Sequence, residues 1–113
     1  PQAEAPPKEV EPKTAEELVS EEMPEIIQAV GLNDFEAAVV SSILTKYVQK
    51  RMELRILELS PEATREALER LGIEQRKELE EGLPQDKYQA MIELEENRYN
   101  TKKFKKKKRK KKT

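Results

Sequence analysis

LNDFEAAVVSSILTKYVQKRMELRILELSP, residues 32–61, is the stretch on which the fold turns. Asn33 is a strong helix N-cap, Asp34 and Glu36 suit the positive end of a helix dipole, and Leu32 is placed to staple onto Ala37. No turn signal follows until Ser60-Pro61, so the spacing predicts one helix of about 26 residues. Its first half carries a clean apolar stripe of Val40, Ile43, Leu44, Tyr47 and Val48, with Val39 at the edge. Beyond Val48 that stripe breaks. Arg51, Arg55 and Glu58 continue the formerly apolar side, while Met52, Leu54, Ile56, Leu57 and Leu59 spread over the others. Residues 52–56 also alternate with period two, as a strand would. The chain offers such a strand no partner, and Met, Glu, Leu and Arg all favour helix, so helix is the expectation. Apolar residues on several sides of one helix call for several contacting surfaces, some from another molecule. Val40, Ile43, Leu44, Tyr47, Val48, Leu54 and Leu57 are therefore expected to face protein partners.

The stretches on either side are shorter and more interrupted. Thr14-Ala15-Glu16-Glu17 has the capping-box form and predicts a helix running to about Glu22. Pro24 is expected to open a second short helix that Gly31 stops. After the central helix, Ser60 as N-cap and Pro61 at the first position predict a restart, with Ala63, Ala67, Leu68 and Leu71 on its apolar face. Gly72 is expected to end that helix, and residues 73–81 to form another, stopped by Gly82. Pro84 leads into a last helix over roughly 85–100, with Tyr88, Met91, Ile92 and Tyr99 on one side. The expectation is all-α, with short capped helices around one long central helix. Three regions follow: a disordered, Pro- and Glu-rich arm over residues 1–13, a small helical body over 14–101, and a polybasic tail over 102–113. A foldable core of about 70 residues within it buries only around 60% of its unfolded surface, which makes it marginal without a partner.

Charge separates these regions sharply. The formal net charge of the 113 residues is −1, yet ten of the twelve residues in 102–113 are Lys or Arg. Residues 1–101 hold 12 of the 22 basic residues and all 23 acidic ones, a net −11. The first 31 residues alone contain eight acidic and two basic side chains, so that end avoids nucleic acid and suits basic protein surfaces.

The composition argues against catalysis. There is no His and no Cys, the commonest general base and the strongest nucleophile, and zinc sites of the Cys/His kind are excluded with them. The paired glutamates Glu21-Glu22, Glu80-Glu81 and Glu95-Glu96 read as solvated helix faces. The three glycines stand singly, so no phosphate-cradling loop exists, and no calcium-loop spacing appears. The expectation is a non-enzyme without cofactor or metal. No apolar run reaches membrane-span length, and the first residues lack a signal-peptide pattern, so an intracellular soluble protein is expected, with ribosomal, nuclear, nucleolar and organellar locations all open.

The tail is the strongest functional signal. Lys102, Lys103, Lys105, Lys106, Lys107, Lys108, Arg109, Lys110, Lys111 and Lys112 repel one another in isolation and release condensed counterions when they meet phosphates. The tail carries no Asn or Gln to read base edges, so the expected target is the phosphate backbone, RNA above all, without sequence preference. Phe104 either stacks on an unpaired base or anchors the preceding helix. Lys106 to Lys110, KKKRK, also has the form of a nuclear-import signal. A polybasic segment with one Phe is compatible with an anionic membrane surface, though without a lipidation site it makes a poor anchor.

Two short stretches bear on another class. Val30-Gly31-Leu32-Asn33-Asp34-Phe35-Glu36, followed by an Ala/Val-rich helix, and Lys77-Glu78-Leu79-Glu80-Glu81-Gly82-Leu83 resemble segments of the bacterial RNA polymerase ω subunit. Ile43 and Leu44 stand where the ω helix has paired basic residues. The resemblance implies a polymerase accessory subunit as the alternative. The leading expectation is a structural subunit of a large ribonucleoprotein, a ribosome or ribosome-assembly particle, and a membrane-surface adaptor is the third.

Overall fold

The computed structural model describes residues 12–97. They form four helices, α1 (Ala15–Val30), α2 (Asp34–Ile56), α3 (Pro61–Gly82) and α4 (Gln85–Glu96), and no strand occurs among the described residues. Residues 1–11 of the expected arm over 1–13 and the tail over 102–113 lie outside them, as do Tyr99 and the expected last turn of the final helix.

The helix starts are those the caps dictate. Thr14 and Asn33 each form a complete capping box, with Glu17 and Glu36 respectively, and the Ser60 hydroxyl accepts from the Ala63 amide ahead of Pro61. Gly31 closes α1 in the left-handed region at φ 81°, which a residue with a Cβ adopts only at a cost. Two expected breaks are absent. Pro24 sits inside α1 rather than at the start of a new helix, and Gly72 sits inside α3 rather than at its end. In both places an apolar stripe runs straight through the weak residue. Val19, Met23, Ile26 and Val30 are buried on one side of α1 while Pro24 is exposed on the other. Leu71, Gln75 and Leu79 likewise carry α3 past Gly72. Packing on a continuous face outweighs one missing backbone donor or one flexible glycine.

Residues 52–56, which alternate as a strand would, are helical and belong to α2. That helix ends at Ile56, three residues earlier than expected, and a tight turn follows in which Glu58 takes φ 52°. So α2 and α3 are two long antiparallel helices, with 23 and 22 residues, in place of a single long one.

The core forms where α1 and α4 close over the α2–α3 pair. Its fully enclosed side chains are Val19 and Ile26 from α1, Val40 from α2, Leu79 from α3, and Met91 and Leu94 from α4. Gly82 lets α3 come close to α2: a Cβ there would lie 2.9 Å from Val39 Cγ1. Lys87 of α4 pins the junction between α1 and α2. Its ammonium donates to the Gly31 carbonyl at 2.6 Å and to Glu36 Oε1 at 2.7 Å, so one cation holds both the end of one helix and the cap of the next.

Candidate partner-binding surface

The α1 and α4 cover does not extend along the whole α2–α3 pair. Residues 51–60 of α2 and its turn, and 61–70 of α3, contain no buried side chain. The stripe that α2 presents to α3 nevertheless continues into this region. Tyr47 and Leu54 are seven residues apart and lie on one side of the helix, as do Ile43 and Leu54 at eleven. On α3, Leu68 shares a side with Gln75 and Leu79 for the same reason. The stripe that α2 turns toward α1, Leu44 and Val48, becomes Arg51 and then Arg55 because α1 begins at Ala15 and covers nothing beyond. The break in periodicity after Val48 therefore marks the edge of the four-helix body. Past that edge the two helices form a bare hairpin arm.

The arm carries most of the exposed large apolar side chains among the described residues. Ile56, Leu57, Leu59 and Leu68 are 76%, 64%, 41% and 41% exposed, and Ile73 at its base is 69% exposed. The arm is also electrically balanced. Residues 50–72 hold five basic and five acidic side chains, whereas the other described residues hold five basic and fifteen acidic ones. A finger of zero net charge, with exposed apolar side chains at its tip, thus extends from a body of net −10.

The expected partner-facing residues divide between these two regions. Val40, Ile43, Leu44 and Tyr47 are buried inside the chain's own core, so the surface expected on that stripe is corrected to an intramolecular contact with α1 and α3. Val48 is half-buried against the same core. Leu54 is half-buried in the arm, and Leu57 is on its exposed tip. Ile73 was not foreseen because a helix end at Gly72 would free it from the phase of Leu71 and Leu79. In an unbroken α3 it points away from both. The tail residues Lys102, Lys103, Phe104, Lys105, Lys106, Lys107, Lys108, Arg109, Lys110, Lys111 and Lys112 lie outside the described residues.

Polar contacts fix the body rather than the arm. The buried Tyr47 hydroxyl donates to Glu78, which also receives Lys46 at 2.6 Å, and Lys50 and Lys46 lie over the Tyr47 ring. Burial, and then the Glu78 carboxylate, push the Tyr47 phenol up to about 12. The hydrogen bonds from Lys46 and Tyr47 hold Glu78 below the usual carboxylate range, and Lys87 with the Asn33 amide does the same for Glu36. Arg76 joins α3 to α4 through Glu95 at 3.1 Å. No group of three or more potential metal ligands occurs among the described residues, and none of their helices is long and apolar enough to cross a membrane. No family model, curated protein or solved structure matches the chain.

Proposed function

We propose that this protein is a non-enzymatic accessory subunit of a large ribonucleoprotein, a ribosome or a ribosome-assembly particle. In this reading the hairpin arm docks on a protein component, while the basic residues 102–112 lie along RNA phosphate. The observation that carries it is the division of charge and apolar surface. Ten positive charges are gathered in residues 102–112, the described residues outside the arm hold fifteen acidic against five basic side chains, and the arm has no net charge and exposes Ile56, Leu57 and Leu59.

Each part supports a different step of assembly. The acidic body keeps RNA phosphate at a distance everywhere except along the tail. Exposed Ile, Leu and Leu side chains at a neutral tip suit an apolar recess on a protein, where burying each yields roughly 1.5–3 kcal/mol. The tail adds affinity that is large in low salt and indifferent to base sequence.

Co-sedimentation with ribosomal particles in moderate salt tests the proposal. The full chain is expected to travel with the particles, and a chain lacking residues 102–113 is expected to remain at the top of the gradient. The triple variant Ile56→Ser, Leu57→Ser, Leu59→Ser is expected to lose docking at unchanged helix content, because those side chains contribute little to the core. A tail-deleted chain that stays bound to RNA polymerase would favour the transcription-subunit alternative. Recovery of all variants only with anionic vesicles would favour the membrane alternative.

A further inference from the structure

An open groove of about 330 Å³ runs between α1 and α2, lined by residues of those two helices alone. Met23, Pro24 and Ile27 belong to its α1 wall and Ala37 and Ala38 to its α2 wall, with Ser20 at the end nearer the start of α1. Two observations set it apart from ordinary surface. Pro24 stands inside α1, where it cannot donate to the Ser20 carbonyl, so the α1 wall holds a backbone acceptor without its usual helical donor. Phe35 is 74% exposed and stands one turn ahead of Ala38 on the same side of α2. A bare aromatic ring thus extends the groove at its far end.

We propose that this groove binds a proline-rich extended segment, and that residues 4–11 of this chain, EAPPKEVE, occupy it. Pro6-Pro7 favours the polyproline II form, which is extended before it docks and sets proline rings against aromatic surfaces. Val10 is the one large aliphatic side chain of the segment, and the amides of residues 8–11 keep the donors that prolines lack.

Reach fixes the register. Lys13, next to the Thr14 cap, turns back along α1 to Glu21 at 2.5 Å, so the residue leading into the helix already lies beside it. In polyproline II form Glu11 is up to about 9 Å from Thr14, Val10 about 12 Å and Pro7 about 22 Å. Along α1, Met23 is about 12 Å from Ala15 and Ile27 about 18 Å. The Glu11 amide therefore arrives near the Ser20 carbonyl, Val10 at Met23 and Ala38, and Pro6-Pro7 just past Ile27, where Phe35 stands. A second copy offers the same segment, but the short tether gives the chain's own segment a millimolar effective concentration. The inference does not depend on RNA binding by residues 102–112 and stands or falls without it.

The test compares NMR spectra of the full chain and of a chain lacking residues 1–11. In the full chain, nuclear Overhauser contacts are expected from the Val10 methyls to Met23 and Ala38, and from the Pro6 and Pro7 rings to Phe35. Deletion should shift the methyl signals of Met23, Ile27, Ala37 and Ala38. A synthetic peptide of residues 1–11 should restore them saturably, with a dissociation constant of about 1 mM or tighter. Phe35→Ser should weaken peptide binding about three- to tenfold. Ala38→Gln, which fills the groove with a good helix former, should abolish it, and both variants should keep their helix content. Glu80→Gln, on exposed α3 surface, should leave binding unchanged. Groove methyl signals that are the same with and without residues 1–11 overturn the proposal. So do contacts that appear only between differently labelled copies, which would place the segment on a second molecule.

Discussion

Gly82 and Tyr47 show how single residues set the α2–α3 contact. A Cβ at residue 82 would sit 2.9 Å from Val39 Cγ1, and a valine in a helix has one strongly preferred rotamer, so it does not swing aside freely. Gly82→Ala is expected to destabilise the fold by about 1–2 kcal/mol despite alanine's better helix propensity. Adding Val39→Ala should recover most of that loss, which a double-mutant cycle in urea would measure. Tyr47 gives a pH signature. Burial and the Glu78 carboxylate push its pKa in the folded chain up to about 12, above the ordinary phenol value, so the unfolded chain loses this proton first as pH rises. The contribution of Tyr47 is complete below about pH 10 and declines between there and about pH 12. Tyr47→Phe should therefore be less stable than the parent at pH 8, through loss of the hydrogen bond to Glu78. The gap between the two urea midpoints should narrow at pH 11. On the acid side, Glu36 and Glu78 have lowered pKa values, so their contributions hold above the usual carboxylate pKa and are lost as pH falls below it.

Helix α1 shows how an element overrides a residue. Pro24 removes one backbone donor and crowds the carbonyl of Ser20, a cost of about 3 kcal/mol in a helix interior. Its exposed position means that Pro24→Ala should return about 2 kcal/mol as a higher urea midpoint, with helix content unchanged. The same element explains what the sequence could and could not reveal. Caps are local chemistry, so Thr14, Asn33, Ser60 and Gly31 fixed the starts and one stop from three or four residues each. Pro24 and Gly72 misled because their effect depends on whether a stripe continues across them, which is a matter of partners further along the chain. The end of the Val40–Val48 pattern was visible, but its cause was not: α1 is too short to cover more of α2. Without that length, a core stripe and a docking surface look alike, which is why Val40, Ile43, Leu44 and Tyr47 were expected on the outside. Ile56 at the end of α2 and Leu59 in the turn after it, both off the core stripe, were the true sign of an uncovered tip.

At the scale of the molecule, charge and apolar surface occupy separate places. The body is acidic, the arm is neutral and apolar, and residues 102–112 are almost wholly basic. Among the described residues the arm gathers most of the exposed large apolar side chains, while Phe35 and Leu18 are the ones the body leaves outside its core. The tail is expected to dominate affinity and the arm to dominate placement. Changing Ile56, Leu57 and Leu59 to Ser should therefore leave binding to naked RNA within about twofold of the parent, since the arm makes no part of the phosphate contact. The most direct measurement is the affinity of the full chain for a single-stranded RNA at sodium chloride concentrations from 50 to 200 mM. If at least six of the ten tail charges meet phosphate, the association constant should fall by about three orders of magnitude over that range, identically for RNAs of different sequence. A flat salt response, or an equal affinity for a chain lacking residues 102–113, would contradict the account.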